Sequence, residues 1–285
     1  MKYGLELANG GAIADPATLA ALAQEAEIAG WDGIFLEDYI VWQGHADAPT
    51  YDPMVLLAAM AMRTTRVRLG TTVTSLSRRR PWKLAKEAVT LDHLSNGRLI
   101  LGIGLGDVGD QGFAAVREVM PLAKRATIVD EALELLTLLG SGEPVTYHGR
   151  HFTVDHLPCL PRPLQQPRIP IWIGGKWPTP GVMRRAATYD GFVGGKVHRD
   201  DEDWRLDAPE IHDLKDRIRA TRASLERFDI ALGGARPGED IAEDRRYVAA
   251  AEAAGATWWM EYANDELGGI DLIREFVRRG PLPHR

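Results

Sequence analysis

The residues of this chain that could do chemistry stand mainly at the ends of short apolar runs. Eight such runs have the length and the β-branched or aromatic content of buried strands. The polar and small residues that follow them are Asn9, Asp38, Tyr39, Thr72 to Ser75, Gly104 to Asp107, Gly174 to Lys176, Lys196, His198, Gly233, Gly234, Glu261 and Tyr262. In parallel α/β folds the carboxyl ends of the strands meet on one side, where ligands bind. We therefore expect the functional site among these residues.

Two groups within this set each allow two interpretations. Gly174 and Gly175 end a predicted strand at 168–173, directly before a predicted helix. They form either a plain turn or a cradle in which backbone amides and the helix N-terminus bind a phosphate. Arg78, Arg79 and Arg80 most simply form a solvated loop face. The alternative is a site for an anionic cofactor tail or substrate.

Motifs of other enzyme classes are absent from the sequence. It contains no HExxH, no GxxxxGK[ST] and no GxSxG. The histidines at 45, 148, 151, 156 and 198 show no metal-ligand spacing, so we predict no metal site. A hydrolase is disfavoured because the sequence has neither a metal site nor a nucleophile–base pair.

The composition restricts the partners and the compartment. The chain has 285 residues, of which 45% are apolar, and 34 basic against 40 acidic residues give a net charge of -6. This charge disfavours nucleic acid or an anionic membrane as the main partner, and the apolar run at 54–62 is too short to span a membrane. With Cys159 as the only cysteine and no room for a signal peptide before the first strand, we expect a cytoplasmic protein.

Strands and helices alternate along the whole chain. The clearest unit is a strand at 67–74, a helix over Pro81–Leu94 that begins with proline, and a strand at 98–104. Further strands are predicted at 3–8, 31–37, 168–173, 191–194, 228–233 and 257–262, and further helices at 16–29, 54–62, 121–139, 180–188, 209–226, 241–254 and 270–279. Eight such units predict a single α/β domain over 1–285, an eight-stranded parallel (β/α)8 TIM barrel.

One segment departs from this repeat. Residues 144–166 contain a turn at 147–150 between two short strands, then a proline-rich connector. The segment is too short for a separate domain, so we expect an excursion outside the barrel before strand five. The competing architecture is an open doubly wound sheet, which usually needs fewer units, and no GxGxxG opens a helix after the first strand.

Several short motifs, taken together, resemble the luciferase-like monooxygenase family. They are WDGIFLED at 31–38, GTTV at 70–73, RP at 80–81, LAK at 84–86, LDHLSNGR at 91–98, LGIG at 101–104, IPIWIGG at 169–175 and DG at 190–191. The family contains flavin-dependent monooxygenases and oxidoreductases, and relatives that use the deazaflavin coenzyme F420. Its fold is an eight-fold barrel with an insertion, which agrees with the architecture predicted above.

The resemblance implies which residues bind the cofactor. Thr72 and Val73 match a position where relatives hold a non-proline cis peptide bond, in a bulge behind the cofactor ring. Gly174 and Gly175 match a phosphate-binding turn. The remaining candidates for cofactor binding are Asp38, Gly104 and Lys176, which also follow predicted strands.

Asp38 and Tyr39 are the candidate catalytic residues. Asp38 falls where the family places a polar residue that faces the cofactor ring. In luciferase two histidines follow the glutamate at the position of Glu37, whereas deazaflavin relatives often carry Asp-His. Asp38 fits the deazaflavin pattern and Tyr39 departs from it. The missing imidazole argues against light emission and aldehyde oxidation.

We therefore expect a redox enzyme that binds FMN or coenzyme F420 at the barrel mouth and acts on a small organic substrate. Reduced FMN activates oxygen and implies a monooxygenase. F420 lacks the ring nitrogen that makes flavin an efficient oxygen partner, and it implies hydride transfer. The alternative from another class is a non-catalytic flavin-binding barrel. Because family members commonly pair through barrel helices, the resemblance also implies a homodimer.

Overall fold

The protein is seen here in a computed structural model that describes residues 1–11, 13, 15–197, 204–222, 224–235, 241–263 and 267–282. Its strands are β1 (Lys2–Leu7), β2 (Gly33–Leu36), β3 (Arg68–Thr71), β4 (Thr74–Ser75), β5 (Leu99–Gly104), β6 (Val145–His148), β7 (Thr153–Leu157), β8 (Ile171–Trp177), β9 (Gly191–Lys196), β10 (Asp229–Ala235) and β11 (Trp258–Ala263). Its helices are α1 (Pro16–Ile28), α2 (Pro53–Ala61), α3 (Pro81–Leu94), α4 (Gln111–Ala114), α5 (Leu122–Leu139), α6 (Pro180–Thr188), α7 (Ala208–Arg219), α8 (Ile241–Ala254) and α9 (Ile270–Arg279).

The sheet closes into a ring of eight parallel strands. Its order is β1, β2, β3, β5, β8, β9, β10 and β11, and β11 pairs with β1. The pairing of Leu69 with Leu99 joins β3 to β5 and completes the ring, while the short strand β4 pairs with β5 as an additional strand. The predicted TIM barrel is confirmed, and the open sheet is excluded.

Helix starts follow the capping signals of the sequence. The Asp15 carboxylate accepts a hydrogen bond from Thr18 N at 2.8 Å, and Asp52 accepts one from Met54 N at 2.9 Å. Proline occupies the first position of both helices that follow, where its missing N–H costs nothing. The bounds predicted for α3 and α6 are confirmed, whereas α7 ends at Arg219, seven residues before the predicted 226.

The excursion outside the ring is an antiparallel hairpin of β6 and β7 followed by the proline-rich connector. Strand β6 runs through His148, so its turn covers 149–152 instead of the predicted 147–150. None of the helices in the described residues is long and apolar enough to cross a membrane.

The barrel interior has a filled lower layer and an open upper layer. Phe35, Trp172 and Trp258 occupy the lower layer, with ring centroids 5.3 to 5.7 Å apart. On β8 the next inward position after Trp172 is Gly174, and on the neighbouring strand β5 the inward position at the carboxyl end is Gly104; neither carries a side chain. This change from aromatic rings to glycine leaves space at the carboxyl ends of the strands, where the site lies.

Candidate active site at the barrel mouth

A cavity of about 910 Å³ occupies the carboxyl-terminal mouth of the barrel. Its walls come from the segments after β2, β4, β5 and β8 and from helices α5 and α6. It is lined by all eight residues that the sequence nominated for catalysis or cofactor binding, namely Asp38, Tyr39, Thr72, Val73, Gly104, Gly174, Gly175 and Lys176. Their assembly in one cavity is a structural result, and their individual roles stay predictions.

Other polar residues at the strand ends have different positions. Lys196 pairs with Glu210 of α7 at 3.2 Å. Glu261 points outward and accepts a hydrogen bond from Leu282 N at 3.2 Å. Gly233 lines an adjoining cavity of about 240 Å³, and His198 lies outside the described residues.

The bulge between β3 and β4 projects a valine into the barrel. The peptide bond between Thr72 and Val73 is cis, as predicted. A Cβ atom on Gly104 would lie 2.5 Å from Val73 Cγ2, and one on Gly174 would lie 2.6 Å from Val73 Cγ1. Real Cβ atoms do not approach other atoms so closely, so the bulge requires glycine at both positions. Val73 and the two glycines form a continuous apolar surface inside the mouth.

Two partly buried carboxyl groups at the mouth were not predicted from the sequence: Glu37 lines the large cavity, and Glu6 lines the adjoining cavity of about 240 Å³. Thr72 Oγ1 donates a hydrogen bond to Glu6 Oε1 at 2.7 Å. Burial, and next the charge of Glu37, raise the pKa of Glu6 to about 8. Burial also raises the pKa of Glu37 to about 7, against the lowering effect of hydrogen bonds from Trp42 and Tyr262. Both groups therefore exchange protons near neutral pH.

A signal for these two residues was present in the sequence. Side chains alternate between the two faces of a strand. Glu6 shares its face with Gly4, and Glu37 shares its face with Phe35, which lies inside the barrel. Moving a carboxyl group from water to the inside of a barrel costs free energy of solvation. A carboxyl group at an inward strand position therefore indicates a functional role.

The Asp38 carboxylate is held by arginine. Arg79 donates two hydrogen bonds to it, from Nε at 3.1 Å and from Nη2 at 2.8 Å. Arg78 donates to the Asp38 carbonyl and to the Asp110 carboxylate, and its side chain is only 3% exposed. The interpretation of Arg78 and Arg79 as a solvated loop face is therefore wrong, while Arg80 is exposed. These pairs join the loops after β2, β4 and β5 around the mouth.

Tyr39 lies beside Asp38 with its side chain partly buried. Burial, and next the charge of Glu37, raise the pKa of the phenol to about 12, so it keeps its proton at neutral pH. Asn9 fixes the backbone here, since its amide donates to Tyr39 O at 2.9 Å and accepts from Tyr39 N at 3.2 Å. Tyr39 is therefore a hydrogen-bond donor held in place at the cavity wall.

The glycine pair of β8 differs from its prediction. Strand β8 continues to Trp177, and α6 begins at Pro180, so Gly174 and Gly175 lie within the strand instead of forming a turn at the helix start. A Cβ atom on Gly175 would lie 2.6 Å from Val182 Cγ2 of α6. Gly175 thus permits close packing of the helix on the strand.

The outer rim of the cavity carries the positive charge that an anionic group needs. The first turn of α6 faces the cavity through Gly181 and Val182, so the positive end of the helix dipole lies there, although Val182 N already donates to Thr179 O at 3.0 Å. Lys176, Arg184 and Arg185 line the same part of the cavity. Both arginines donate to the Asp130 carboxylate at 2.7 Å, which leaves an excess of positive charge.

Residues 4–266 match the family model of luciferase-like monooxygenases. This chain belongs to that family. The F420-dependent glucose-6-phosphate dehydrogenase of Kineococcus radiotolerans is 34% identical over 181 residues, which are 62% of this chain and 52% of that protein.

A second luciferase-like relative, from Mycobacterium tuberculosis, is named as a candidate coenzyme F420-dependent oxidoreductase. It is 35% identical over 204 residues, which are 68% of this chain and 55% of the relative. The match therefore spans about half the length of these curated relatives. The structure of coenzyme F420-dependent tetrahydromethanopterin reductase from Methanopyrus kandleri is similar over 99% of both chains, with 18% identity and a TM-score of 0.73. It shares the fold.

Proposed function

We propose that this luciferase-like protein is an oxidoreductase that transfers hydride between coenzyme F420 and a small organic hydroxy compound. The observation that carries the proposal is the pair of carboxyl groups with pKa values near neutral, Glu37 in the wall of the cavity of about 910 Å³ and Glu6 in the wall of the adjoining cavity of about 240 Å³. Removing hydride from an alcohol carbon requires that the hydroxyl proton also leaves, and a carboxylate of this pKa accepts it. The names of the two curated relatives support F420 over FMN.

The cavity fits a flat ring system with an anionic tail. Its volume lies in the usual range for cofactor pockets, roughly 300 to 1,000 Å³. Val73 packs directly on Gly104 and Gly174, because neither glycine has a side chain that would collide with it. Together these three residues offer an apolar surface for the ring. Lys176 and the first turn of α6 offer the positive field for the phosphate. FMN also has a flat ring and a phosphate and would fit the same cavity. It is the alternative cofactor, and oxygenation is the alternative chemistry.

The chain contributes proton handling and positioning to this reaction. When bound, the cofactor supplies the hydride acceptor. Glu37 takes the substrate hydroxyl proton, and Thr72 orients the Glu6 carboxyl behind it through their hydrogen bond. Asp38 and Arg79 fix the loop that carries Tyr39, whose protonated phenol donates to the substrate oxygen. Transfer in the other direction returns the proton from Glu37.

Turnover of F420 with a panel of secondary alcohols, hydroxy acids and sugar phosphates tests this proposal. We expect loss of the visible absorption of oxidised F420 with at least one substrate. The rate should rise with pH as Glu37 loses its proton near pH 7. Glu37→Gln should lower kcat at least about a hundredfold, the usual contribution of a general base. Turnover that is unchanged in Glu37→Gln would contradict the assigned base.

We also infer a homodimer and a cytoplasmic location. Helix α2 has an apolar outer face, where Val55 and the residue that caps its C-terminus, Met62, are each 70% exposed. A helix that is apolar on all sides is normally covered, and the family resemblance supports a second copy as the cover. The single cysteine, Cys159, is buried and free, as is usual in a reducing compartment.

A further inference from the structure

A second cavity of about 190 Å³ lies outside the barrel. It is bordered by α3, α5, the outer faces of β5 and β8, and the connector after β7, and it is partly open to solvent. Leu101 and Ile171 reach it from the strands, and Ala88 and Leu136 from the helices. Because side chains alternate along a strand, this cavity is on the opposite side of the sheet from the mouth.

Hydrogen bonds hold the connector above this cavity. Lys86 Nζ donates to Leu160 O at 2.6 Å, and the Asp92 carboxylate accepts from Leu164 N at 2.7 Å. Asp92 is fully buried, so moving the connector inward would leave its charge without partners. These hydrogen bonds therefore keep the cavity open, because the connector cannot relax inward to fill it without breaking them.

The polar groups at the cavity already have partners. Arg168 donates to the Asp190 carboxylate at 3.0 and 3.2 Å. The Cys159 thiol donates to Leu157 O at 3.6 Å, and Lys86 is engaged as described. A water molecule in a cavity needs two to four polar partners, and a charged ligand needs an opposite charge. The remaining walls are apolar and offer neither.

We propose that this cavity binds a small uncharged apolar molecule, an aromatic or branched hydrocarbon group of about six to ten carbon atoms. An apolar cavity of about 150 Å³ stays dry and takes up benzene, and the present one is slightly larger. Leu157 and Leu160, which are 36% and 65% exposed, provide an apolar approach from solvent at the connector. The site is separate from the mouth and does not depend on the proposed cofactor.

Benzene and n-butylbenzene are the probes for the test. Trp82 lines the cavity, so its indole N–H signal, assigned with Trp82→Phe in protein labelled with ¹⁵N-indole tryptophan, reports occupancy. We expect a saturable shift of this signal and a rise in the midpoint of thermal unfolding. Ala88→Leu fills the cavity and should weaken both probes at least tenfold. Ala249→Leu, on the exposed face of α8, is the control and should bind like the wild type.

Two further measurements keep the test decisive. If Ala88→Leu does not fold, Ala85→Leu provides a second test, because Ala85 lines the same cavity from the preceding turn of α3. Each variant is also titrated with F420. Its affinity for F420 should equal that of the wild type, which shows that this site is separate from the mouth. A Trp82 signal that does not shift with either probe would overturn the proposal, as would a shift that both filling variants leave unaltered.

Discussion

At the scale of single residues, Glu6 and Glu37 are the groups whose protonation most affects the mouth. The pKa of Glu6 rises from 4.5 to about 8 on folding, and that of Glu37 from 4.5 to about 7. Between these values the folded protein binds more protons than the unfolded chain. The contribution of these two groups to the free energy of unfolding therefore falls as pH rises from about 4.5 to about 8.

The double variant Glu6→Gln with Glu37→Gln should lose this part of the pH dependence, because amides do not titrate. We expect the wild-type unfolding midpoint to decrease by at least about 2–4 °C more than that of the double variant between pH 5 and pH 8, roughly 1 kcal/mol. Thermal melts followed by circular dichroism measure it. Glu143→Gln, at an exposed site, should behave like the wild type. Parallel curves for the wild type and the double variant would refute the shifted pKa values.

The sequence could nominate site residues only where a local pattern exists. Thr72 and Val73 were found through a short motif, and the cis bond between them is present. Glu6 lies in β1 and Glu37 directly follows β2, and their common environment exists only once these two strands have paired in the barrel. Arg79, the partner of the Asp38 carboxylate, lies 41 positions along the chain, a separation that no local pattern reveals.

At the scale of elements, helix bounds were predicted better than strand bounds. Proline marks the first residue of α3 and α6, which makes their starts readable from the sequence. Strand ends depend on pairing partners elsewhere in the ring. β8 continues through Gly174 and Gly175 because β9 pairs with it as far as Trp177, although glycine normally suggests a turn. The predicted strand at 67–74 is divided into β3 and β4 by the cis bulge.

Contact between β8 and the bulge gives a prediction for Gly174. Gly174→Ala places a methyl group against Val73 and should cost about 1–3 kcal/mol of unfolding free energy through overpacking. Adding Val73→Ala removes the colliding methyl groups and should recover at least half of that loss. Urea unfolding measures both.

Gly181→Ala is the matched control for this pair, since its new Cβ would lie at an ordinary 3.5 Å from Arg185. It should keep its stability within about 1 kcal/mol of the wild type. If Val73→Ala failed to rescue Gly174→Ala, the contact between bulge and strand would not be the source of the loss. Substitution of Gly175 tests something else, namely the packing of α6 against β8 at Val182.

At the scale of the whole molecule, the apolar outer face of α2 gives a prediction for assembly. Met62→Glu places a charge on a face that we propose to be covered by a second copy, and it should convert a dimer into a monomer. Light scattering across a wide concentration range measures the mass. Leu138→Glu, on the exposed part of α5, is the control and should leave the dimer intact. A monomer mass for the wild type at every concentration would contradict the proposed homodimer.

The central claim concerns the cofactor at the barrel mouth. Titration of the purified protein with F420 and with FMN, each followed by the cofactor's fluorescence, tests it most directly. We predict saturable binding of F420 at least about tenfold tighter than that of FMN, roughly 1.4 kcal/mol. Gly174→Ala, by pushing Val73 against the ring surface, should weaken F420 binding. Tighter binding of FMN would contradict the assignment to hydride transfer, and binding of neither cofactor would contradict the whole account.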